Sequence, residues 1–137
     1  MKRILCLLLV TCFCGAQTQY RTRTVILFGD LERRISIGTD RATLLTDDFE
    51  ERRCASPGTP IPRDAWLAAP APKFSFTQEA VHDYGAIAIY SALGSDSESQ
   101  FMVVDTWQKQ GDSWKLAVRY SCPATGVKEA DTIPNRY

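Results

Sequence analysis

The chain has 137 residues with 16 basic and 16 acidic side chains, so its formal charge is zero and no positive surplus points to nucleic acid. At 45% apolar and 10% aromatic residues it is globular in composition rather than disordered. Its length suits one core and leaves no room for a second domain.

The N-terminus is built in three zones. Lys2 and Arg3 supply positive charge, Ile4 to Phe13 an apolar run, and Cys14-Gly15-Ala16 the small residues that a signal peptidase accepts. This order predicts a secretory signal peptide over residues 1–16, cut after Ala16. An apolar run of ten residues is shorter than the roughly 17 to 25 that cross a bilayer core, so no membrane span is expected. Cys12 after Leu9-Val10-Thr11 is similar to a bacterial lipoprotein signal, but threonine is bulky for that position, and a lipid anchor is not expected. Cleavage removes two basic residues, leaving 14 against 16 acidic ones and a charge of −2 on an exported, periplasmic or secreted domain. It also removes Cys6, Cys12 and Cys14. Cys54 and Cys122 remain in a compartment that permits disulfides, either bonded to each other or buried as small thiols.

Along the chain, helices come first and strands afterwards. From Thr24 to Ile37, Leu27, Leu31 and Ile35 recur at four-residue steps beside Phe28, with Glu32, Arg33 and Arg34 turned away, which predicts an amphipathic helix ended by Gly38. Thr39 or Asp40 caps a second, short helix through Leu44 and Leu45. A short strand follows Phe49, with Glu50-Glu51-Arg52-Arg53 read as a solvated edge. Pro62-Arg63-Asp64 opens a brief helix carrying Trp66. Beyond Lys73 four strands are predicted, over 74–82, 86–93, 100–109 and 113–122, separated by turns at Asp83-Tyr84-Gly85, Gly94 to Ser97 and Gln110-Gly111-Asp112. Phe101, Val103, Asp105, Trp107 and Lys109 share one face of their strand. In the last strand Trp114, Leu116, Val118, Tyr120 and Cys122 are expected on one face and Arg119 on the other. The domain is placed at 17–123, with a polar tail over 124–137.

This order of helices, short strand and meander resembles the nuclear transport factor 2-like superfamily, which includes ketosteroid isomerase and the SnoaL-like cyclases. The segment from Asp105 to Leu116 looks like that family's penultimate hairpin. Tyr84 to Ile89 is similar to the hairpin before it, and Asp40 to Phe49 to the helix entering the first strand. The closest likeness is to a small subfamily labelled a domain of unknown function. The resemblance implies an α+β cone, with two or three N-terminal helices closing one side of a curved sheet, an apolar pocket at the wide end, and dimerisation through the sheet. The Pro-rich connection from Pro57 to Pro72 is shorter than in fuller members, which implies a small or shut pocket.

Enzymes of this family transfer protons with a carboxylate or histidine inside the cone. Asp105 is the first candidate for a general base, with His82 and Tyr90 beside it; pairing of Asp105 with Arg119 across the last hairpin is the structural alternative. Trp66, Tyr90, Phe101 and Trp107 are the expected pocket wall for a small apolar molecule. No base and pair of oxyanion donors match the isomerase pattern residue by residue, so the leading expectation is a non-catalytic binding or assembly domain. An isomerase, dehydratase or cyclase using Asp105 is the alternative. One histidine and two distant cysteines give no zinc spacing, and no glycine loop suggests a phosphate-bearing cofactor. No cofactor or metal is expected.

Overall fold

A computed structural model of the chain describes residues 23–124; the predicted signal peptide and most of the predicted tail lie outside the described residues. Helix α1 covers residues 23–37 and α2 Arg41–Leu44; β1 (Leu45–Arg53), β2 (Ile61–Pro62), α3 (Arg63–Ala68), β3 (Ser75–Asp83), β4 (Ile87–Ser95), β5 (Gln100–Gln110) and β6 (Ser113–Pro123) follow. The strands form one mixed sheet in the order β2-β1-β6-β5-β4-β3. From β3 to β6 it is an antiparallel meander, as expected, but β4 runs on through Gly94 to Ser95 and the reversal expected at Gly94 to Ser97 falls at Asp96–Ser99. The β5–β6 turn uses Gly111 at φ 61°, a conformation costly for any residue with a Cβ. β1 joins the far edge of the meander parallel to β6 and antiparallel to the two-residue β2.

α1 packs across the sheet on most of the face its four-residue ladder suggests, rotated so that Leu27 leaves that face and Glu32 and Ser36 join it. Phe28, Leu31, Glu32, Ile35 and Ser36 are buried, whereas Leu27 is 46% exposed. The Phe28 ring meets Trp107 and Trp114 edge-on at 5.8 and 5.0 Å, and burial of each such apolar side chain contributes about 1.5–3 kcal/mol. Glu32 therefore points inward, contrary to expectation. The pull comes from the sheet: Trp107 and Arg119 both donate to its carboxylate. α2 starts at Asp40, whose side chain makes no cap; its carbonyl accepts from Thr43 and Leu44, and its carboxylate pairs with Arg34. α3 seats Trp66 against Phe49 at 5.1 Å.

Two bulges reset which residues face inward. In β3 the pairing slips between Thr77 and Ala80, with Gln78 at φ 52°, so Phe76 lies on the inner side before the slip and Val81 after it. In β6 one residue is added opposite Thr106 and Trp107, so Leu116 is buried and, past the bulge, so is Arg119, while Tyr120 is exposed. The unbroken alternation expected for β6 thus fails at its middle. β1 is not a solvated edge either, since it lies between β2 and β6 and buries Glu51.

Cys54 and Cys122 are disulfide-bonded, their Cα atoms 4.9 Å apart and 68 residues apart in sequence. Beside the bond, Cys54 donates its backbone N–H to Ser121, extending the β1–β6 contact. No helix among the described residues is long and apolar enough to cross a membrane.

Candidate functional site

Strand register lines up a single inward row across five strands. Val81 pairs with Tyr90, Tyr90 with Asp105, Asp105 with Arg119, and Arg119 with Glu51. The middle of this row is charged and closed to water: Asp105 is 0% exposed, Arg119 1%, and Glu32, descending from α1, 0%. Such burial costs several kcal/mol per ion and is sustained only by close pairing. Arg119 supplies it. Its Nε donates to Asp105 Oδ1 at 3.0 Å, its Nη2 donates to Asp105 Oδ2 at 2.6 Å, and the same Nη2 also reaches Glu32 Oε2. Trp107 Nε1 donates to the other Glu32 oxygen at 3.2 Å. The Trp66 ring lies 5.9 Å from the Arg119 guanidinium and 4.3 Å from that of Arg41, which is tied to the carbonyls of Trp66 and Ala69.

Two carboxylates against one guanidinium leave an excess of negative charge. Burial, with the charge of Asp105 beside it, pushes the Glu32 carboxyl well above the usual carboxylate range, although Arg119 pulls the other way. Burial also works against the charge on Arg119, but Asp105 and Glu32 outweigh it and the guanidinium stays protonated. Tyr90 is raised by burial and then by Glu32 and Glu79; its hydroxyl stays neutral and donates to Glu79 Oε2 at 3.1 Å.

The expected site residues are thus divided. Asp105 and Tyr90 are adjacent on the inner face. His82 is exposed and pairs with Ile89, one residue out of phase with Tyr90, so it sits on the opposite face of the sheet, away from Asp105. Trp66, Tyr90 and Trp107 are buried at 5%, 0% and 0% and pack around the charged centre. Phe101 lines open space. Glu32 was missed because its partners lie 75 and 87 residues away in sequence.

That open space lies beyond the charged row, toward the chain end of β6. It is a cavity of about 450 Å3 lined by Glu51, Arg53, Phe74, Phe101, Ser121 and Cys122, among others. The Phe74 and Phe101 rings touch with centroids 4.2 Å apart, tilted by 53°. Phe101 can lie across the sheet because its pairing partner is Gly94, where a Cβ would come within 2.2 Å of the ring. Glu51 is 7% exposed; Ser121 Oγ donates to it at 2.8 Å and Arg53 Nη2 reaches its other oxygen at 3.4 Å. Among the described residues, no cluster of three or more histidine, cysteine or acidic side chains is arranged to hold a metal ion.

No protein-family model matches the sequence, and no curated protein is significantly similar to it. Solved structures do resemble the fold. A candidate ketosteroid isomerase from Parabacteroides distasonis superposes with a TM-score of 0.58 at 16% identity, over 72% of this chain and 86% of that one. The CaMKII hub of S. rosetta gives 0.58 at 17% identity, over 76% and 96%. An NTF2-like protein with a cystatin-like fold from Novosphingobium aromaticivorans gives 0.51 at 11% identity, over 93% and 96%. The chain has the nuclear transport factor 2-like fold: an α+β cone of curved mixed sheet and short helices.

Proposed function

We propose that this chain is an exported, non-catalytic domain that binds a small, largely apolar molecule at the wide end of its cone. One observation carries the reading: the strongest polar constellation in the interior is consumed by its own pairing. Both oxygens of Asp105 accept from Arg119, and none of Glu32, Asp105 and Arg119 is more than 1% exposed. A general base needs hydrogen-bond reach to a substrate proton, and this one is already engaged. The cavity at Phe101 supplies the space that the charged centre lacks. Export is supported by the three-zone N-terminus and by the Cys54–Cys122 bond, a pairing that oxidising compartments favour.

The test is native mass spectrometry of the protein purified without denaturation from an oxidising compartment. The expected result is a small co-purified mass on a chain that begins after Ala16. Clean apoprotein that also fails to bind any member of an apolar library overturns the binding reading, and an intact N-terminus overturns export.

A second reading, proton-transfer catalysis with Asp105 as base, draws on Tyr90 lying directly across from Asp105 and on Glu32 being held toward its neutral form. It requires Asp105→Asn to abolish any turnover found. Assembly through the sheet is supported by Met102 and Tyr120, 48% and 44% exposed on its outer face, and by the likeness to a hub domain. Sedimentation of the double variant Met102→Glu, Tyr120→Glu as a monomer, where the parent is a dimer, is the expected result.

A further inference from the structure

Among the described residues, three acidic side chains face the interior of the cone almost without solvent, Glu32, Asp105 and Glu51, against one buried guanidinium, Arg119. Arg119 gives its Nε and Nη2 to Asp105 and Glu32; its Nη1 makes no hydrogen bond, and Glu51, its neighbour in register, feels its charge without a hydrogen bond to it. The counter-charge of Glu51 is Arg53, which is a weak partner: the contact is 3.4 Å long and the Arg53 side chain is 61% exposed against 9% for Glu51. A second carboxylate, Asp96, sits at the cavity rim. It accepts from the backbone N–H groups of Glu98 and Ser99 at 2.8 Å each, and these bonds hold it ionised.

Ser99, Gln100 and Ser121 add neutral polar groups, and the rest of the wall is apolar and aromatic: Phe74 and Phe101 present two rings tilted by 53°, and Cys122 and Pro123 close the side next to the disulfide. At about 450 Å3 the cavity falls within the roughly 300–1,000 Å3 of small-molecule sites. An anion placed here would meet Glu51 and Asp96 and would have to take Arg53 from Glu51. A neutral apolar molecule would use the rings and leave the carboxylate where it is. A cation uses both: its charge replaces the long Arg53 contact with a short charge-assisted bond, and phenyl faces attract positive charge.

We propose that this cavity binds a small organic ammonium ion with an apolar or aromatic body, the ammonium on Glu51 in place of the Arg53 head and the body against Phe74 and Phe101. This rests on the binding reading above and gives it a charge class. Arg53 then acts as the resident cation that a ligand displaces outward, a move its exposure makes inexpensive.

Three matched probes test it: 2-phenylethylamine, 2-phenylethanol and 3-phenylpropionate, titrated into isotope-labelled full chain from an oxidising compartment, with amide shifts read at Phe101, Ser121 and Cys122. The expected result is binding of the amine at least about tenfold tighter than of the alcohol, with no saturable shift from the carboxylate. Glu51→Gln should erase the preference for the amine over the alcohol, and Phe74→Ala, at the half-buried rim, should weaken both. Equal or tighter binding of the alcohol or the carboxylate at these amides overturns the charge class and leaves the binding reading standing. Silence at these amides from all three probes overturns the proposal, and the binding reading falls with it only if native mass spectrometry also finds nothing bound. Glu51→Gln that fails to fold is replaced by Arg53→Ala, which should tighten the amine about severalfold and is decisive if it weakens it instead.

Discussion

The charged centre and the open cavity share the inner face of one sheet, a few residues apart along β5 and β6, yet they solve opposite problems. At Asp105 both carboxylate oxygens are taken by Arg119, and neither residue is open to solvent, though Arg119 Nη1 is left without a hydrogen bond. At Glu51 and Phe101 the ion pair is longer, its partner Arg53 is exposed, and there is room for a molecule. A buried charge by itself therefore does not mark a functional site. What distinguishes the two regions is whether the charge has been satisfied at home.

The sharpest way to break this contrast is to remove the partner at the closed end. Arg119→Met should cost about 3–5 kcal/mol in urea unfolding, since it strands Asp105 beside Glu32. Adding Asp105→Asn and Glu32→Gln to that variant should restore much of the loss; if it does not, the centre is held by packing rather than by charge. Next in size is the bond at the edge of the cavity. Cys54→Ser with Cys122→Ser should lower stability by up to roughly 4 kcal/mol on the chain-entropy account, read as a fall in Tm that reductant does not deepen. Gly94→Ala drives a methyl into the Phe101 ring and should cost about 1–3 kcal/mol while changing probe binding at the cavity, leaving the charged centre intact.

The smallest effect is a slope. The Glu32 carboxyl is raised in the folded protein from its ordinary value near 4.5, so the folded state holds that proton more tightly. The stability this gives is fully present below the unfolded value and is lost as pH rises through the folded one. Relative to Glu32→Gln, the parent should lose stability with rising pH by at most about 1.4 kcal/mol per unit. Parallel stability curves for the two proteins would show that the Glu32 carboxyl holds its proton no more tightly folded than unfolded.

The meander was legible because its information is local: strand-length runs rich in apolar residues are bounded by turn residues, and Gly85 and Gly111 stand where the chain must reverse. The brief helix carrying Trp66 was legible for the same reason, announced by Pro62. What alternation hides is its own interruption. Nothing around Leu116-Ala117-Val118 announces the bulge that turns Arg119 inward, although the pairing of Asp105 with Arg119 was visible as opposite charges on neighbouring strands. Glu32 was hidden for a different reason. A helix shows its ladder of apolar residues, but a glutamate beside that ladder reads as solvated until Trp107 and Arg119 are brought to it by the fold. The cavity was half legible: Phe101 was expected there, while Glu51 was assigned to a charged edge because the position of β1 inside the sheet depends on a parallel pairing with distant β6.

That parallel pairing also sets an order of assembly. The hairpins from β3 to β6 close over short turns, whereas β1 meets β6 across about seventy residues, from Leu45 opposite Leu116 to Arg53 opposite Ser121. Contacts that span so much chain form late, because the entropy of closing the loop is lost before they repay it. The first strand of the sheet is thus expected to be the last to dock, and the cysteines to meet only once it has. Pulse-labelled hydrogen exchange during refolding should protect β4 and β5 before β1, and oxidation should trap a sheet already formed rather than direct its formation.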